Sequence, residues 1–156
     1  MKIKNYLWNG FGFPVMFSEL PAIQVRGELV PDIDFNQFAK PLIQIICSKQ
    51  KFPLSGNQVK FIRNFLGLGL REFAKFMNVT HQSVMRWEKK KKIAARIDVN
   101  TEIVMRIKVL KALHSNAQSI EEAVEKVNEG KQLEASAGYK TFKPIHMPDK
   151  FIHSAL

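Results

Sequence analysis

The chain has 156 residues, the length of one ordinary domain or of two small ones. Hydrophobic side chains make up 46% of it and charged ones 24%, a balance typical of a folded protein and not of a disordered one. Cys47 is the only cysteine, which excludes an intrachain disulfide and a cysteine-rich zinc site and is typical of a protein of the reducing cytosol.

The positive charge is concentrated in the middle third of the chain. Residues 1–53 carry six basic and four acidic side chains, residues 54–114 thirteen and four, and residues 115–156 five and six. The formal net charge of +10 therefore arises almost entirely from the +9 of the middle segment. A basic coat that served only solubility would be spread more evenly, so this distribution predicts a polyanionic partner for residues 54–114.

The first seventeen residues have Lys2 and Lys4 ahead of an apolar run and superficially resemble a secretory signal. Glycine and proline interrupt that run, and no small-residue cleavage pattern follows it. No apolar run in the sequence reaches the length of a membrane helix. We therefore expect a soluble, cytoplasmic protein that has no membrane partner.

Residues 1–53 predict a small α+β domain for dimerisation or partner binding. Short apolar runs bounded by glycine and proline favour strands at 14–17, 21–25 and 27–31. Apolar residues then recur at three- and four-residue spacing, which predicts a helix over 34–49. The expected fold class is mainly α, with this α+β segment (short strands plus one helix) followed by a five-helix domain.

Residues 54–114 predict the DNA-binding domain, and residues 115–130 an additional helix. Ser55 and Gln58 form the pattern of a helix start, and the helix that follows should bury Val59, Ile62, Phe65 and Leu66. Further helices are predicted over 70–77, 81–89 and 101–114, the last of which should bury Ile103, Ile107, Leu110 and Leu113. The final helix starts at Ser119 and should end at Gly130. Residues 131–156 are predicted to form a flexible tail.

The run 66–88 fits a helix-turn-helix position by position. Ala74 is small where the two helices must cross closely. Four residues later, Asn78 is suited to the positive φ of a sharp turn. Apolar residues then plug the turn and anchor the second helix: Val79, Val84 and Trp87.

Thr80 is a suitable N-cap for the second helix. Four side chains then face away from the core, where a recognition helix presents base-reading groups to the major groove: His81, Gln82, Ser83 and Arg86. A helical hairpin of an ordinary bundle has similar apolar spacings, but it does not combine outward polar groups with so much local charge. We therefore expect duplex operator DNA as the partner, bound by a homodimer because one short helix reads little sequence.

From Pro53 to Leu113 the chain resembles the Cro and phage-repressor (Xre-type) helix-turn-helix family. Where that family has Ser-Gln at the start of its second helix, this chain has Gly69-Leu70, and Arg71 is expected to take over the phosphate contact of the missing glutamine. A four-lysine run replaces the family's glycine after Trp-Glu. Such a run is often only a solvated face, but beside a recognition helix it favours phosphate contact. The expected phosphate-binding set is Arg71, Thr80, Lys89, Lys90, Lys91 and Lys92.

The N-terminal segment narrows the resemblance. Tyr6, the Gly-Phe-Gly-Phe run at 10–13 and Val15 precede Pro-Leu-Ser-Gly at 53–56, a layout that looks like the MqsA-type antitoxins and their zinc-less relatives. The zinc-binding members carry paired Cys-x-x-Cys motifs, which this chain lacks. The resemblance implies that the protein binds a toxin encoded next door and represses the shared operon. We expect apolar side chains of the tail to hold that toxin: Phe142, Ile145, Met147, Phe151 and Ile152.

Three other functions stay open at this stage. A stand-alone phage or chromosomal regulator would share the DNA-binding machinery and differ only in having no toxin. A ribosome-associated protein would place the basic helices on structured RNA, although double-stranded RNA hides its major groove from side chains. An enzyme is disfavoured, because Cys47 lies in an apolar helix with no adjacent histidine and the sequence shows no paired carboxylates or glycine-rich phosphate loop.

Neither a metal nor a cofactor is expected, because no thiol pair exists and the histidines are dispersed at positions 81, 114, 146 and 153. Treatment with a chelator should therefore leave the melting temperature unchanged. Stoichiometric zinc in elemental analysis, or a large loss of stability on chelation, would contradict this prediction.

Overall fold

A computed structural model describes residues 1–32, 34, 36–137 and 144–147 of the chain. These residues form four strands, β1 (Lys2–Trp8), β2 (Val15–Val25), β3 (Glu28–Pro31) and β4 (Ile145–Met147). They also form six helices, α1 (Asn36–Lys49), α2 (Gly56–Phe65), α3 (Leu70–Met77), α4 (His81–Glu88), α5 (Val99–Ala112) and α6 (Ala117–Ala137). The fold is mainly α with an α+β N-terminus, which confirms the predicted class.

The strand β2 is the centre of the sheet. It pairs antiparallel with β1 from Lys2↔Pro21 to Trp8↔Val15, and antiparallel with β3 over 22–25. The sequence analysis missed β1, whose apolar run was compared only with a signal peptide. It also divided β2 into two strands at Pro21, although this proline lies within a single eleven-residue strand.

The strand β4 and the last seven residues of α6, 131–137, correct the prediction of a flexible tail for part of residues 131–156. Ile145, His146 and Met147 pair in parallel with residues 15–17 of β2, and the Ile145 N–H donates to the Pro14 carbonyl at 3.0 Å. Met147 is buried against the core. An open strand edge offers main-chain groups that an apolar segment can pair with, and no local sequence pattern reveals such a distant pairing. Phe142, Phe151 and Ile152 lie outside the described residues.

The hydrophobic core is continuous from the sheet to the helices on the other side of residue 53. Val15, Phe17 and Leu20 of β2 belong to the same buried cluster as α1 and the helices α2–α5. Aromatic rings join the two parts, with Phe61 of α2 at 5.0 Å from Phe11 and 5.4 Å from Phe13 between ring centroids. The N-terminal segment therefore fixes the position of α2.

A buried ion pair between Arg106 and Glu102 of α5 fastens the junction of α1 and α2. The Arg106 guanidinium, fully buried, donates to Glu102 Oε2 at 3.0 Å and to the carbonyls of Gln50 at 2.6 Å and Phe52 at 2.9 Å. The other Glu102 oxygen accepts from the Leu54 N–H at 3.0 Å. The Leu54 N–H and the carbonyls of Gln50 and Phe52, which are buried or partly buried, are thus hydrogen-bonded to charged side chains.

The same pair explains why the predicted buried face of α5 is partly wrong. Ile103 and Ile107 are only half-buried, and charged residues occupy the core-facing stripe in their place. The buried residues of this helix are Glu102, Met105, Arg106, Val109 and Leu110, joined by Leu113 just beyond it. A pattern of apolar residues cannot identify a face whose centre is an ion pair. Phe65 of α2, also predicted to be buried, is exposed.

The start of α2 confirms the predicted cap. The Gln58 N–H donates to Ser55 Oγ at 3.1 Å, and the Ser55 N–H donates to Gln58 Oε1 at 3.1 Å. The Gln58 amide is also paired reciprocally with the amide of Gln50, at 2.9 and 2.7 Å. The capping box therefore links the end of α1 to the start of α2 as well as closing the helix end.

Gly130 does not end the last helix, as the sequence analysis predicted, but lies inside α6. It is buried where α6 crosses the linker between α1 and α2, and a Cβ atom built on it would lie 1.8 Å from the carbonyl oxygen of Lys51. Glycine is present here because the two backbones approach closely, a requirement that a sequence pattern does not distinguish from a helix terminus.

Replacing Gly130 by alanine should destabilise the protein, whereas the same change on an exposed helix stabilises it by roughly 0.8–1.0 kcal/mol. Because the added methyl group meets a carbonyl oxygen of the linker, we expect the free energy of unfolding in urea to fall by about 1–3 kcal/mol or more. Glu125→Ala, at an exposed position of the same helix, should change it by less than about 0.5 kcal/mol. A Gly130→Ala protein as stable as the parent would contradict the close approach.

Candidate nucleic-acid interface

The helices α3 and α4 are joined by a turn of three residues, as the sequence predicts. Asn78 has φ 57° and ψ 45°, the left-handed conformation that was expected of it. The Val79 N–H donates to the Ala74 carbonyl at 2.9 Å, and the Asn78 N–H donates to the Lys75 carbonyl at 3.1 Å. These two bonds are those of a Schellman motif, which closes the C-terminus of α3.

Thr80 caps the N-terminus of α4, also as predicted. Its hydroxyl oxygen accepts from the Ser83 N–H at 3.2 Å and lies 3.0 Å from the Ser83 hydroxyl. The predicted core residues of the two helices pack together, with Ala74, Val84 and Trp87 buried and Val79 half-buried beside them. The orientation of α4 relative to α3 is therefore set by the turn, the cap and this apolar contact.

One face of α4 is exposed along its whole length. Gln82 and Arg86, two of the four predicted base-reading residues, lie on it, together with Met85 and Lys89. His81 and Ser83 are half-buried, and the Ser83 hydroxyl is engaged with the Thr80 cap. The spacing 82, 85, 86 and 89 is that of a single helical stripe, a signal by which the sequence analysis could have found Met85.

This stripe borders a groove of about 600 Å³ between α4, α2 and the start of α3, which we call the α4 groove. Its walls carry cationic, apolar and neutral polar side chains, among them Lys60, Leu70, Gln82, Met85, Arg86 and Lys89. Lys60 of α2 is exposed and was not among the predicted phosphate contacts. Arg71, which was, is exposed in the first turn of α3.

An ion pair between Arg63 of α2 and Glu88 holds the C-terminal end of α4. The guanidinium donates from Nε to one carboxylate oxygen at 2.8 Å and from Nη2 to the other at 2.9 Å, while Nη1 donates to the Leu68 carbonyl at 3.0 Å. Both side chains are mostly buried, and the hydrogen bond to Glu88 raises the pKa of Arg63. The sequence analysis missed this pair because its members belong to different helices.

The lysine run 89–92 is a fixed turn and not an extension of α4. Lys91 has φ 53°, and its carbonyl accepts from the Asn57 N–H at 2.9 Å, while the Gly56 N–H donates to the Ile93 carbonyl at 3.2 Å. A Cβ on Gly56 would lie 2.5 Å from the Trp87 carbonyl oxygen, so the turn packs directly on the start of α2. The side chains of Lys89, Lys91 and Lys92 are exposed, and that of Lys90 is half-buried.

Not every basic side chain of residues 54–114 belongs to this surface. Arg63 and Arg106 are used in internal ion pairs, and Lys108 donates to the Phe76 carbonyl at 2.6 Å. These cations stabilise helix ends and junctions. The exposed positive charge is consequently carried by the side chains around α4 and by Lys75, Arg96 and Lys111.

Within residues 1–32, 34, 36–137 and 144–147, no three histidine, cysteine, aspartate or glutamate side chains come together as a metal-binding group. Burial raises the pKa of the Cys47 thiol to about 12, so the thiolate required of a nucleophile does not form near neutral pH. None of the helices described has the length and apolar character needed to cross a membrane.

The chain matches no protein-family model, and comparisons with curated proteins and with solved structures give no match either.

Replacing Asn78 by alanine should lower the free energy of unfolding by about 1 kcal/mol, because alanine is strained at positive φ. Asn78→Gly should leave the free energy of unfolding close to that of the parent, since glycine adopts this conformation freely. Urea titrations of the three proteins measure the difference. Equal stability of the alanine and glycine proteins would show that the turn does not require the left-handed conformation.

Proposed function

We propose that this protein is a sequence-specific DNA-binding transcriptional repressor whose reading element is α4. The observation that carries the proposal is the exposed stripe of α4, with Gln82 and Arg86 projecting from a helix that the Thr80 cap and the Glu88–Arg63 pair hold at both ends. Glutamine can donate to and accept from adenine, and arginine can donate to guanine, in the major groove. The resemblance to Xre-type regulators supports the same function.

The surroundings of α4 support binding to a polyanion. The elements that flank the stripe carry further cations: Lys60, Arg71 and the lysine turn 89–92. With α4 in the major groove of DNA, these cations would contact the phosphates on either side of that major groove. The turn is fixed by backbone hydrogen bonds to α2, so its charges keep their place relative to α4. The proposal includes a homodimer, because two half-sites are needed for useful specificity.

The proposal extends to an antitoxin that binds a neighbouring toxin, as the resemblance implies. We infer that the tail is not the toxin-binding surface, because Met147 of the tail is already buried against β2 and Ile145 is half-buried there. Exposed apolar side chains lie on the N-terminal sheet, where Ile23 and Val25, two residues apart on one face of β2, are each more than two-fifths exposed. Such a patch favours a protein partner.

The test of DNA reading starts from an operator selected out of a randomised duplex pool. Gln82→Ala should weaken binding to that operator by about 1–3 kcal/mol and remove the preference at one base pair of each half-site, while binding to random DNA stays the same. If operator and random DNA weakened equally, α4 would not be reading bases. A protein that preferred double-stranded RNA of the same sequence would contradict the proposal as a whole.

The lysine turn should act on phosphates and not on sequence. Replacing Lys89 and Lys92 by alanine should weaken operator and random DNA together, and the slope of log affinity against log salt should fall by roughly one unit per lost contact. Lys111→Ala removes an exposed lysine near the end of α5 that does not line the α4 groove, and it serves as the matched control. An unchanged slope in the double variant would show that the turn is only solvated.

A further inference from the structure

Met85 is a large apolar side chain placed at the centre of a polar, cationic face. It is 50% exposed, lying between Gln82 and Lys89 on the stripe of α4 and adjacent to Arg86. It does not belong to the hydrophobic core, which the buried side of this helix reaches through Val84 and Trp87. The packing of the motif does not require an apolar group at this position.

The side chains around Met85 indicate which kind of ligand could contact it. Met85 lines the α4 groove together with four cations: Lys60, Arg63, Arg86 and Lys89. Among the described residues that line the groove, Glu88 is the one carboxylate, and Arg63 neutralises it through two hydrogen bonds. A polyanion bound on this cationic face would lie against Met85, and an apolar group on that ligand would suit the methionine side chain.

The major groove of DNA offers one apolar group at a base edge, the C5-methyl group of thymine. A methionine side chain is flexible and polarisable, so it can follow a methyl group without a fixed geometry. Gln82 and Met85 are three residues apart on one face of a helix, so their side chains point at neighbouring positions. Gln82 suits an adenine edge, and Met85 suits a thymine.

We propose that Met85 is a specificity-determining residue that contacts the C5-methyl group of a thymine, so that the half-site contains A·T pairs at the positions facing Gln82 and Met85. This inference rests on the proposed function, since it needs α4 in the major groove. It names the class of sequence that the protein prefers, and it explains the exposed methionine.

The experiment removes the methyl group from the DNA and the thioether from the protein. Thymines of the selected operator are replaced one at a time by deoxyuridine, which keeps every hydrogen-bonding group of the base edge. The parent protein should lose about fourfold in affinity at one thymine of each half-site, the effect expected for one buried carbon. Met85→Ala should bind the thymine and deoxyuridine duplexes equally.

Two further variants make the result specific. Met85→Leu retains an apolar side chain of similar volume and should keep the preference for thymine. Val104→Ala removes exposed apolar surface from α5 and should respond to deoxyuridine as the parent does. Circular dichroism melts of all variants check that the substitutions at these exposed positions leave the fold intact.

The possible outcomes distinguish a failure of the Met85 assignment from a failure of the proposed DNA-binding function. A pool that yields no preferred sequence would overturn DNA reading, and the assignment of Met85 with it. A preferred sequence that tolerates deoxyuridine at every thymine would overturn the assignment of Met85 alone. An equal loss on deoxyuridine substitution in the parent and in Met85→Ala would also overturn it, because another residue would then contact the methyl group.

Discussion

The buried ion pair of Arg106 and Glu102 is the interaction on which the arrangement of the helices depends. It brings α5, the end of α1 and the linker before α2 to one point, with charged groups bonded to backbone atoms of the linker that are buried or partly buried. Removing one member of such a pair leaves an uncompensated buried charge and costs about 3–5 kcal/mol. An apolar substitute could fill the volume, but it could not bond the linker. The pair thus fixes the position in space of the linker from which α2 starts.

Three contacts connect this junction, through α2, to the proposed reading helix α4. The capping box of Ser55 and Gln58 starts α2, Arg63 on the same helix holds Glu88 of α4, and the lysine turn packs on Gly56. A helix held at both ends loses little conformational freedom when it binds, and such preorganisation raises affinity without any added contact. The same rigidity would make base reading by Gln82 and Met85 sensitive to small displacements of α2.

Local chemistry could be predicted from the sequence and long-range contacts could not. The cap at Ser55, the left-handed Asn78 and the cap at Thr80 each depend on neighbours within a few residues, and the structure confirms all three. The Arg63–Glu88 pair, the strand β4 and the role of Gly130 depend on partners far along the chain. The pair was not predicted, and the local patterns of the other two suggested a flexible tail and a helix end. Met85 could also have been predicted, since helical spacing places it on the same face as Gln82 and Arg86.

The pairing of β4 with β2 joins segments from opposite ends of the sequence, and this affects how the chain is assembled on the ribosome. The contacts within α2–α4 span short stretches and can form while synthesis continues, whereas the edge of β2 at residues 15–17 must wait for residues 145–147. Until then its unpaired main-chain groups can pair with another nascent chain. A fusion tag that displaced β4 would prolong that exposure, so the position of a tag should govern how much of the protein aggregates during expression.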